Sequence, residues 1–155
     1  MKIVPVLDYM DGHVVLAQGG QRASYRAVSK DNSSLLTDHS VEAVIDGYLT
    51  LYPFKNMYIA DLDCICGQSL DIPFWSHALS AYPEIEFWLD IGLQVKDWAE
   101  LAEQCSLLRP IVGTELFSSL SHLQQTLNDL QPYRPILSID MKHDQILGVA
   151  DILTI

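Results

Sequence analysis

The sequence has few basic residues, no long apolar run and no secretory leader. Its 155 residues include nine Lys and Arg against twenty Asp and Glu, a formal net charge of −11. Because such a chain repels polyanions, we expect no nucleic-acid partner. No stretch approaches the roughly 18 apolar residues of a membrane span. Without a charged and apolar amino-terminal leader, the sequence predicts a cytoplasmic protein with no membrane partner.

Cysteine is also scarce. Three cysteines are too few, and odd in number, for a disulfide framework, so we expect reduced thiols. Cys64 and Cys66 share one face of a predicted strand, but no second Cys or His pair follows at metal-ligand spacing. No phosphate-binding loop or dinucleotide glycine motif is present. The sequence therefore predicts neither a metal nor a cofactor.

What the sequence does contain is typical of one globular domain, predicted over residues 1–155. Hydrophobic residues make up 49% and charged residues 19% of the chain. Short runs rich in Val, Ile, Leu and aromatic residues recur, and their near-continuous apolar character favours strands buried on both faces of a parallel sheet. The predicted strands are Lys2 to Asp8, Asn56 to Asp63, Glu84 to Asp90, Arg109 to Glu115 and Arg134 to Asp140.

Helical periods separate these strands. Apolar residues at helical spacing lie between Val41 and Tyr52, Trp75 and Tyr82, Val95 and Cys105, and Leu116 and Leu130. Strands alternating with helices predict an α/β fold with parallel crossovers. A flavodoxin-like open sheet would be complete at five strands, whereas a (βα)8 barrel needs eight. Length favours the open sheet, but the long polar loop over 18–40 is typical of barrels, where such loops cover the active site.

Carboxylates stand where most of the predicted strands end. Asp8, Asp63, Asp90 and Asp140 end four of them, and Gly113-Thr114-Glu115 ends the remaining one. In parallel α/β folds the carboxyl ends of the strands form the ligand-binding face. Crowded carboxylates there raise one another's pKa values, which allows a general acid and a general base to coexist near neutral pH. The pattern therefore indicates acid–base catalysis, with Asp8 and Asp140 the strongest candidates.

Several segments resemble the HisA/HisF histidine-biosynthesis barrels. The opening IVPVLDYMDGHVV over residues 3–15 is similar to the family's first strand and turn. Similar stretches follow in the family's order at 18–26, 58–63, 111–114 and 137–140. The resemblance implies a TIM-type barrel of parallel βα units, of which this chain holds about five of the eight strands, a partial barrel.

Within that family the opening strand is closest to the phosphoribosylformimino-5-aminoimidazole carboxamide ribotide isomerase branch. Resemblance to this branch implies an Amadori rearrangement of a phosphorylated aminoaldose to an aminoketose. It implies that Asp8 is the general base and that Asp140 is a second functional carboxylate, a candidate general acid. The implied substrate-binding residues are Gly19, Gly20, Arg22, Asp63, Gly113 and Thr114.

The third predicted strand departs from the family pattern. The family has a Gly-Gly-Gly-Ile-Arg turn there that binds a phosphate, but this chain has Trp88-Leu89-Asp90-Ile91-Gly92-Leu93. A carboxylate at a phosphate site is electrostatically unfavourable. Gly113 and Thr114 then remain as the phosphate contact. This departure favours a divergent paralogue, such as relatives in one-carbon cofactor metabolism, whose substrate carries fewer phosphates.

A barrel that stops after its fifth strand leaves apolar sheet edges exposed. Three further units at the observed pitch would add roughly 75–80 residues to complete an eight-stranded barrel. The sequence therefore also allows a homodimer that covers the edges. The remaining alternative is a non-catalytic or vestigial interaction module, since the missing strands would carry part of the active site.

Overall fold

The computed structural model describes residues 3–18, 21–92, 95–143 and 145–149. The strands are β1 Val6–Met10, β2 His13–Leu16, β3 Arg26–Ala27, β4 Asn56–Asp61, β5 Glu86–Asp90, β6 Leu108–Gly113, β7 Ile136–Ser138, β8 Met141–Lys142 and β9 Gln145–Ile146. The α-helices are α1 Val41–Leu51, α2 Leu62–Ile65, α3 Ile72–Ser80, α4 Trp98–Gln104 and α5 Leu120–Asp129. Short 3-10 turns occupy Arg22–Ser24, Val95–Asp97, Thr114–Leu116 and Gln131–Tyr133.

The prediction of a partial (βα) barrel is wrong. Seven strands lie side by side in one open sheet of order β3-β2-β1-β4-β5-β6-β7, and β8 and β9 form a separate hairpin. Strands β1, β4, β5, β6 and β7 are parallel, whereas β2 and β3 are antiparallel additions. A barrel would close by pairing the outer edge of β1 with its last strand. Here β2 already occupies that edge, so the fold is a mixed α/β sheet.

The five parallel strands coincide with the five predicted apolar runs, and α1, α3, α4 and α5 coincide with the four predicted helical periods. The parallel strands also follow one another in chain order, which a flavodoxin-like sheet does not. None of the helices in the described part of the chain has the length and apolar character needed to span a bilayer.

A two-residue turn joins β1 to β2. Asp11 and Gly12 have φ angles of 51° and 81°, the positive values that a type I′ hairpin turn requires at both central positions. The Asp11 N–H donates to Oδ2 of Asp63, at 2.9 Å, so the turn is fixed to the segment that follows β4. This hairpin places β2 against β1, with Asp8 opposite Val15.

The main core lies between one face of the sheet and the helices. Inward residues of the central strands, among them Ile59 and Leu89, join one cluster with buried residues of α1, α3, α4 and α5. Trp75 and Trp98 are the largest of the fully buried helix residues. A much smaller cluster of Val15, Ala60 and Leu62 lies apart from it. The sheet therefore has one thickly covered face and one that carries polar side chains.

We expect Leu89→Ala to lower the free energy of unfolding by about 2–5 kcal/mol, because it leaves a cavity beside a central strand. Leu89 is completely buried. Leu51→Ala is the matched control, since Leu51 is 65% exposed and its truncation should cost less than about 0.5 kcal/mol. Urea unfolding followed by circular dichroism measures both. Equal losses in the two variants would contradict this assignment of the core.

Glu86 organises the polar face of the sheet at the start of β5. Its Oε1 accepts from Asn56 Nδ2 at 2.9 Å and from Trp88 Nε1 at 2.8 Å. Its Oε2 accepts from Arg134 Nη2 at 3.0 Å, and Arg109 Nη1 lies 3.6 Å from Oε1. Although burial raises the pKa of Glu86, the Trp88 hydrogen bond and the two guanidinium charges outweigh it and lower the pKa overall. This network ties β4, β5, β6 and the segment before β7 together.

We expect Glu86→Gln to destabilise the protein by about 1–3 kcal/mol at pH 7, because charged donors lose a carboxylate partner. A folded-state pKa below the ordinary 4.5 gives stability that is present above pH 4.5 and is lost as the pH falls through the lowered value. The difference in the free energy of unfolding between Glu86→Gln and the wild-type protein should therefore shrink at acid pH. Urea unfolding at a series of pH values measures this difference.

Glu84→Gln is the control for this experiment. Glu84 pairs with Lys55 at 2.7 Å, but both side chains are exposed, so its loss should change stability by less than about 1 kcal/mol. A loss at Glu84 as large as the loss at Glu86 would contradict the role given to the Glu86 network.

Candidate functional site

The register of the sheet places two of the predicted carboxylates in one row. Asp8 of β1 lies beside Ala60 of β4, and Ala60 lies beside Asp90 of β5. Residues paired across neighbouring strands point to the same face of a sheet. Because alanine is small, it leaves a gap between the two carboxylates. This row stands at the carboxyl ends of the parallel strands, on the face opposite the main core.

Tyr58, two residues before Ala60, lies on the same face and contacts Asp90. Its hydroxyl donates to Asp90 Oδ2 at 3.1 Å, while Asp90 Oδ1 accepts from the Gly92 N–H at 3.0 Å. Burial raises the pKa of Asp90, although both hydrogen bonds lower it in part. Burial also raises the pKa of Tyr58, and the negative charges of Asp90, Asp140 and Asp8 raise it further. Tyr58 is therefore a protonated donor to Asp90, and its pKa is raised by the charges of all three carboxylates.

Asp8 is half-buried and has one cationic neighbour among the described residues. Burial raises its pKa, and the charge of Arg22 lowers it in part. Arg22 begins the 3-10 turn after the first hairpin, and its Nη1 donates to Cys66 Sγ at 2.9 Å. A carboxylate with a raised pKa is a stronger base than an exposed one, which suits it to remove a proton from carbon.

Asp140 and Glu115 form a second pair of acidic groups. The Asp140 N–H donates to the Thr114 hydroxyl at 3.1 Å, which holds the segment after β7 against the end of β6. Burial raises the pKa of Glu115 to about 7, and hydrogen bonding with the Asp140 carboxyl and the charges of Asp140 and Asp90 contribute. A carboxyl group with this pKa can donate a proton near neutral pH.

Asp63 does not join this group. It follows β4 in α2, where it accepts the N–H of Asp11, and burial raises its pKa. Its neighbour Asp61 is almost completely buried and accepts from Trp75 Nε1 at 2.7 Å and from the Cys64 N–H at 2.9 Å. Asp61 therefore has a structural role, and Asp63 supports the first hairpin.

The residues predicted to bind phosphate are covered. Gly113 and Thr114 are buried, and a Cβ built on Gly113 would lie 2.5 Å from a Glu115 carboxylate oxygen. Gly148, with a φ of 80°, brings its backbone against the Thr114 carbonyl so closely that no side chain would fit there. Gly19 and Gly20 lie outside the described residues. The substrate-binding roles predicted for Gly19, Gly20, Gly113, Thr114 and Arg22 stay predictions.

Three residues of the site, Tyr58, Ala60 and Glu115, are not among those predicted from the sequence. Glu115 ends the fourth predicted strand, as Asp8 and Asp90 end theirs. This position at the end of a predicted strand could have identified Glu115 as a site residue. Tyr58 and Ala60 resemble ordinary strand residues, and nothing in their local sequence marks them. In the described part of the chain, no group of three or more His, Cys, Asp or Glu side chains is arranged to hold a metal.

The sequence matches no known protein-family model, and no curated protein is significantly similar to it. The resemblance to the histidine-biosynthesis barrels therefore depends on the short segments quoted above and stays a prediction.

We expect Glu115 to titrate at about pH 7 when its side-chain carboxyl is followed by carbon-13 NMR. In Asp140→Asn the pKa of Glu115 should fall toward its ordinary value of 4.5, because the neighbouring negative charge is removed. Asp129→Asn, an exposed change in α5, should leave it unchanged. A Glu115 that titrates near 4.5 in the unchanged protein would contradict the pairing.

Proposed function

We propose that the protein is a cytoplasmic isomerase that moves a proton within a small sugar-derived substrate, an Amadori-type rearrangement of an aminoaldose to an aminoketose. The observation that carries the proposal is the row of Asp8, Ala60 and Asp90 beside Tyr58, together with a Glu115 carboxyl whose pKa is about 7. At one pH near neutrality, such a site contains both an ionised carboxylate that can act as a base and a protonated carboxyl group that can act as an acid. The resemblance described above supports the same class of reaction.

In the proposed reaction an acid first protonates the ring oxygen of the aminoaldose, and the ring opens to an iminium ion. Asp8 then removes the proton from C2, which gives an enolamine. Proton return to C1 and loss of the C2 hydroxyl proton give the aminoketose, so no atoms or electrons are gained or lost. Asp140 or Glu115 would supply the first proton, because the two groups interact and the Glu115 carboxyl has a pKa of about 7.

The charges at the site favour a substrate with few phosphate groups. Arg22 is the one described cation that acts on Asp8, whereas Asp90, Glu115 and Asp140 are acidic groups at the same end of the parallel strands. Carboxylates repel phosphate, and an anion site normally presents free N–H groups or cations. We therefore propose a substrate with at most one phosphate, held by Arg22.

A second candidate function is that of a non-catalytic interaction module. It is favoured by one observation, the close packing of Gly148 over Thr114 at the carboxyl end of β6, which covers part of the expected substrate face. The exposed apolar residues Ile139 and Met141 lie beside this covered edge.

We expect Asp8→Asn to lower turnover of an N-ribosylamine monophosphate by more than about 100-fold, because the amide cannot accept the C2 proton. Proton NMR of the substrate C2 position measures the rate. Asp31→Asn, an exposed change in the loop before α1, should leave the rate unchanged. Retained folding is checked by the dispersion of the amide spectrum.

An unchanged rate in Asp8→Asn would remove Asp8 from the proposed mechanism. If the unchanged protein shows no turnover of ribosylamines with one phosphate, with two or with none, the isomerase proposal fails and the interaction module is favoured.

A further inference from the structure

A cavity of about 320 Å³ lies between α1, the loop before it and the hairpin of β1 and β2. The pairing of β1 with β2 ends at Asp8 and Val15, and α1 does not fill the space beside the separating strands. An engineered apolar cavity of roughly 150 Å³ in another protein binds benzene. This cavity therefore has room for a small organic molecule.

The floor of the cavity belongs to the main core. It is formed by Leu7, Val14, Val28 and Val44, which are all buried members of the core cluster, none more than 7% exposed. Because its floor lies in the protein interior, the cavity is deeper than a surface groove. A small molecule can reach this floor, whereas the flat surface of a folded partner protein cannot.

The mouth of the cavity is also apolar. It is formed by Val6, Leu16, Leu35 and Leu51, which are all exposed. Ten large hydrophobic residues are exposed in the described part of the chain, so these four are a large share of them at one opening. Single exposed apolar residues are ordinary, but a cluster of them marks a place where something binds.

The polar side chains on the walls already have partners within the protein. The Tyr48 hydroxyl donates to the Val6 carbonyl at 2.9 Å, and Asn32 Oδ1 accepts from the Ser29 N–H at 2.8 Å. The Ser33 hydroxyl accepts the backbone N–H two positions further on at 3.2 Å. These bonds hold the walls together, and the polar groups that make them do not attract a charged ligand.

The walls also provide no counter-ion. Asp8 is the one charged residue among the described lining residues, but its side chain points to the other face of the sheet, with Ala60 and Asp90. Arg22 is its cationic neighbour there. A charged group that leaves water for an apolar site without a counter-ion loses its hydration uncompensated. The cavity therefore disfavours charge of either sign.

We propose that this cavity is a binding site for a compact, uncharged, apolar molecule about the size of a substituted six-membered ring, which packs against Val14, Val28 and Val44. The removal of apolar surface from water, on the ligand and on the cavity walls, drives the binding. The site goes beyond the proposed function, and its test does not need turnover.

The test uses toluene, benzylamine and benzoate near neutral pH, three probes that share one ring and carry no charge, a positive charge and a negative charge. Each is titrated to millimolar concentrations against protein with carbon-13-labelled valine methyl groups. We expect saturable shifts of the Val14, Val28 and Val44 methyls with toluene, and at least about tenfold weaker binding of both charged probes. No saturable shift with toluene, or a charged probe that binds as tightly as toluene, would overturn the proposal.

Two variants test the location of the site. Leu35→Trp narrows the mouth and should weaken toluene binding at least about tenfold, whereas Leu107→Trp, the same change at a similarly exposed leucine outside the cavity, should not. Asp8→Asn should leave toluene binding unchanged, because that side chain lies on the other face of the sheet. Unchanged binding in Leu35→Trp, or lost binding in a folded Asp8→Asn, would overturn this location.

Sedimentation tests whether a second copy of the chain occupies the mouth instead. If toluene does not bind and the protein sediments as a dimer that Leu51→Glu dissociates, the mouth is an interface between copies and the proposal is overturned. Toluene binding to a monomer supports the proposal, whether or not the protein turns over a ribosylamine.

Discussion

The pairing of β1 on both of its edges is the constraint from which the rest of the structure follows. On one edge β4 runs parallel to it, with Ala60 beside Asp8, and on the other edge β2 runs antiparallel, with Val15 beside Asp8. Because both edges are taken, the sheet cannot close through β1. The same pairing holds Asp8 at the carboxyl ends of the parallel strands, in one row with Ala60 and Asp90.

The two faces of the sheet have different physical roles. One face gives its side chains to the main core, where burial against four helices supplies most of the hydrophobic stabilisation. The other face carries Glu86 and its partners at one end and the carboxylates around Tyr58 at the other. Partial burial at that second end raises the pKa values of Asp8, Asp90 and Glu115, which exposed carboxylates would not show. The chemistry of the proposed site therefore depends on the scaffold that desolvates it.

The first hairpin carries Asp8 and borders a cavity beside α1. Its Asp11–Gly12 turn is held by Asp63, and its strands separate beyond Asp8 to leave the cavity beside α1. Asp8 itself points to the face of the sheet opposite Tyr9 and Val14, the same face as Ala60 and Asp90.

Local sequence determined the elements and the acidic strand ends. Continuous apolar runs specify β1, β4, β5, β6 and β7, and apolar residues at helical spacing specify the four long helices, because both periods are properties of consecutive residues. Of the acids that the sequence predicted at strand ends, Asp90 ends β5, whereas Asp8 is the third of five residues in β1 and Asp140 lies two residues beyond β7. The start of α3 is also encoded locally, since the Asp71 side chain accepts the Phe74 N–H and Pro73 lies in the first turn.

Only the tertiary structure decided which edges pair and which carboxylates interact. The outer edge of β1 is taken by β2 through the local Asp11–Gly12 turn. The parallel pairing of β1 with β4 and the order of the later strands are contacts between residues far apart in the chain, which no periodicity encodes. The raised pKa of Glu115 depends on Asp140, 25 positions further along the chain, and on burial that exists only after β6 and β7 pair. Tyr58 and Ala60 became part of the site for the same reason. Register across strands, and not sequence spacing, put Ala60 between Asp8 and Asp90, and Tyr58 lies on the same face with its hydroxyl on Asp90.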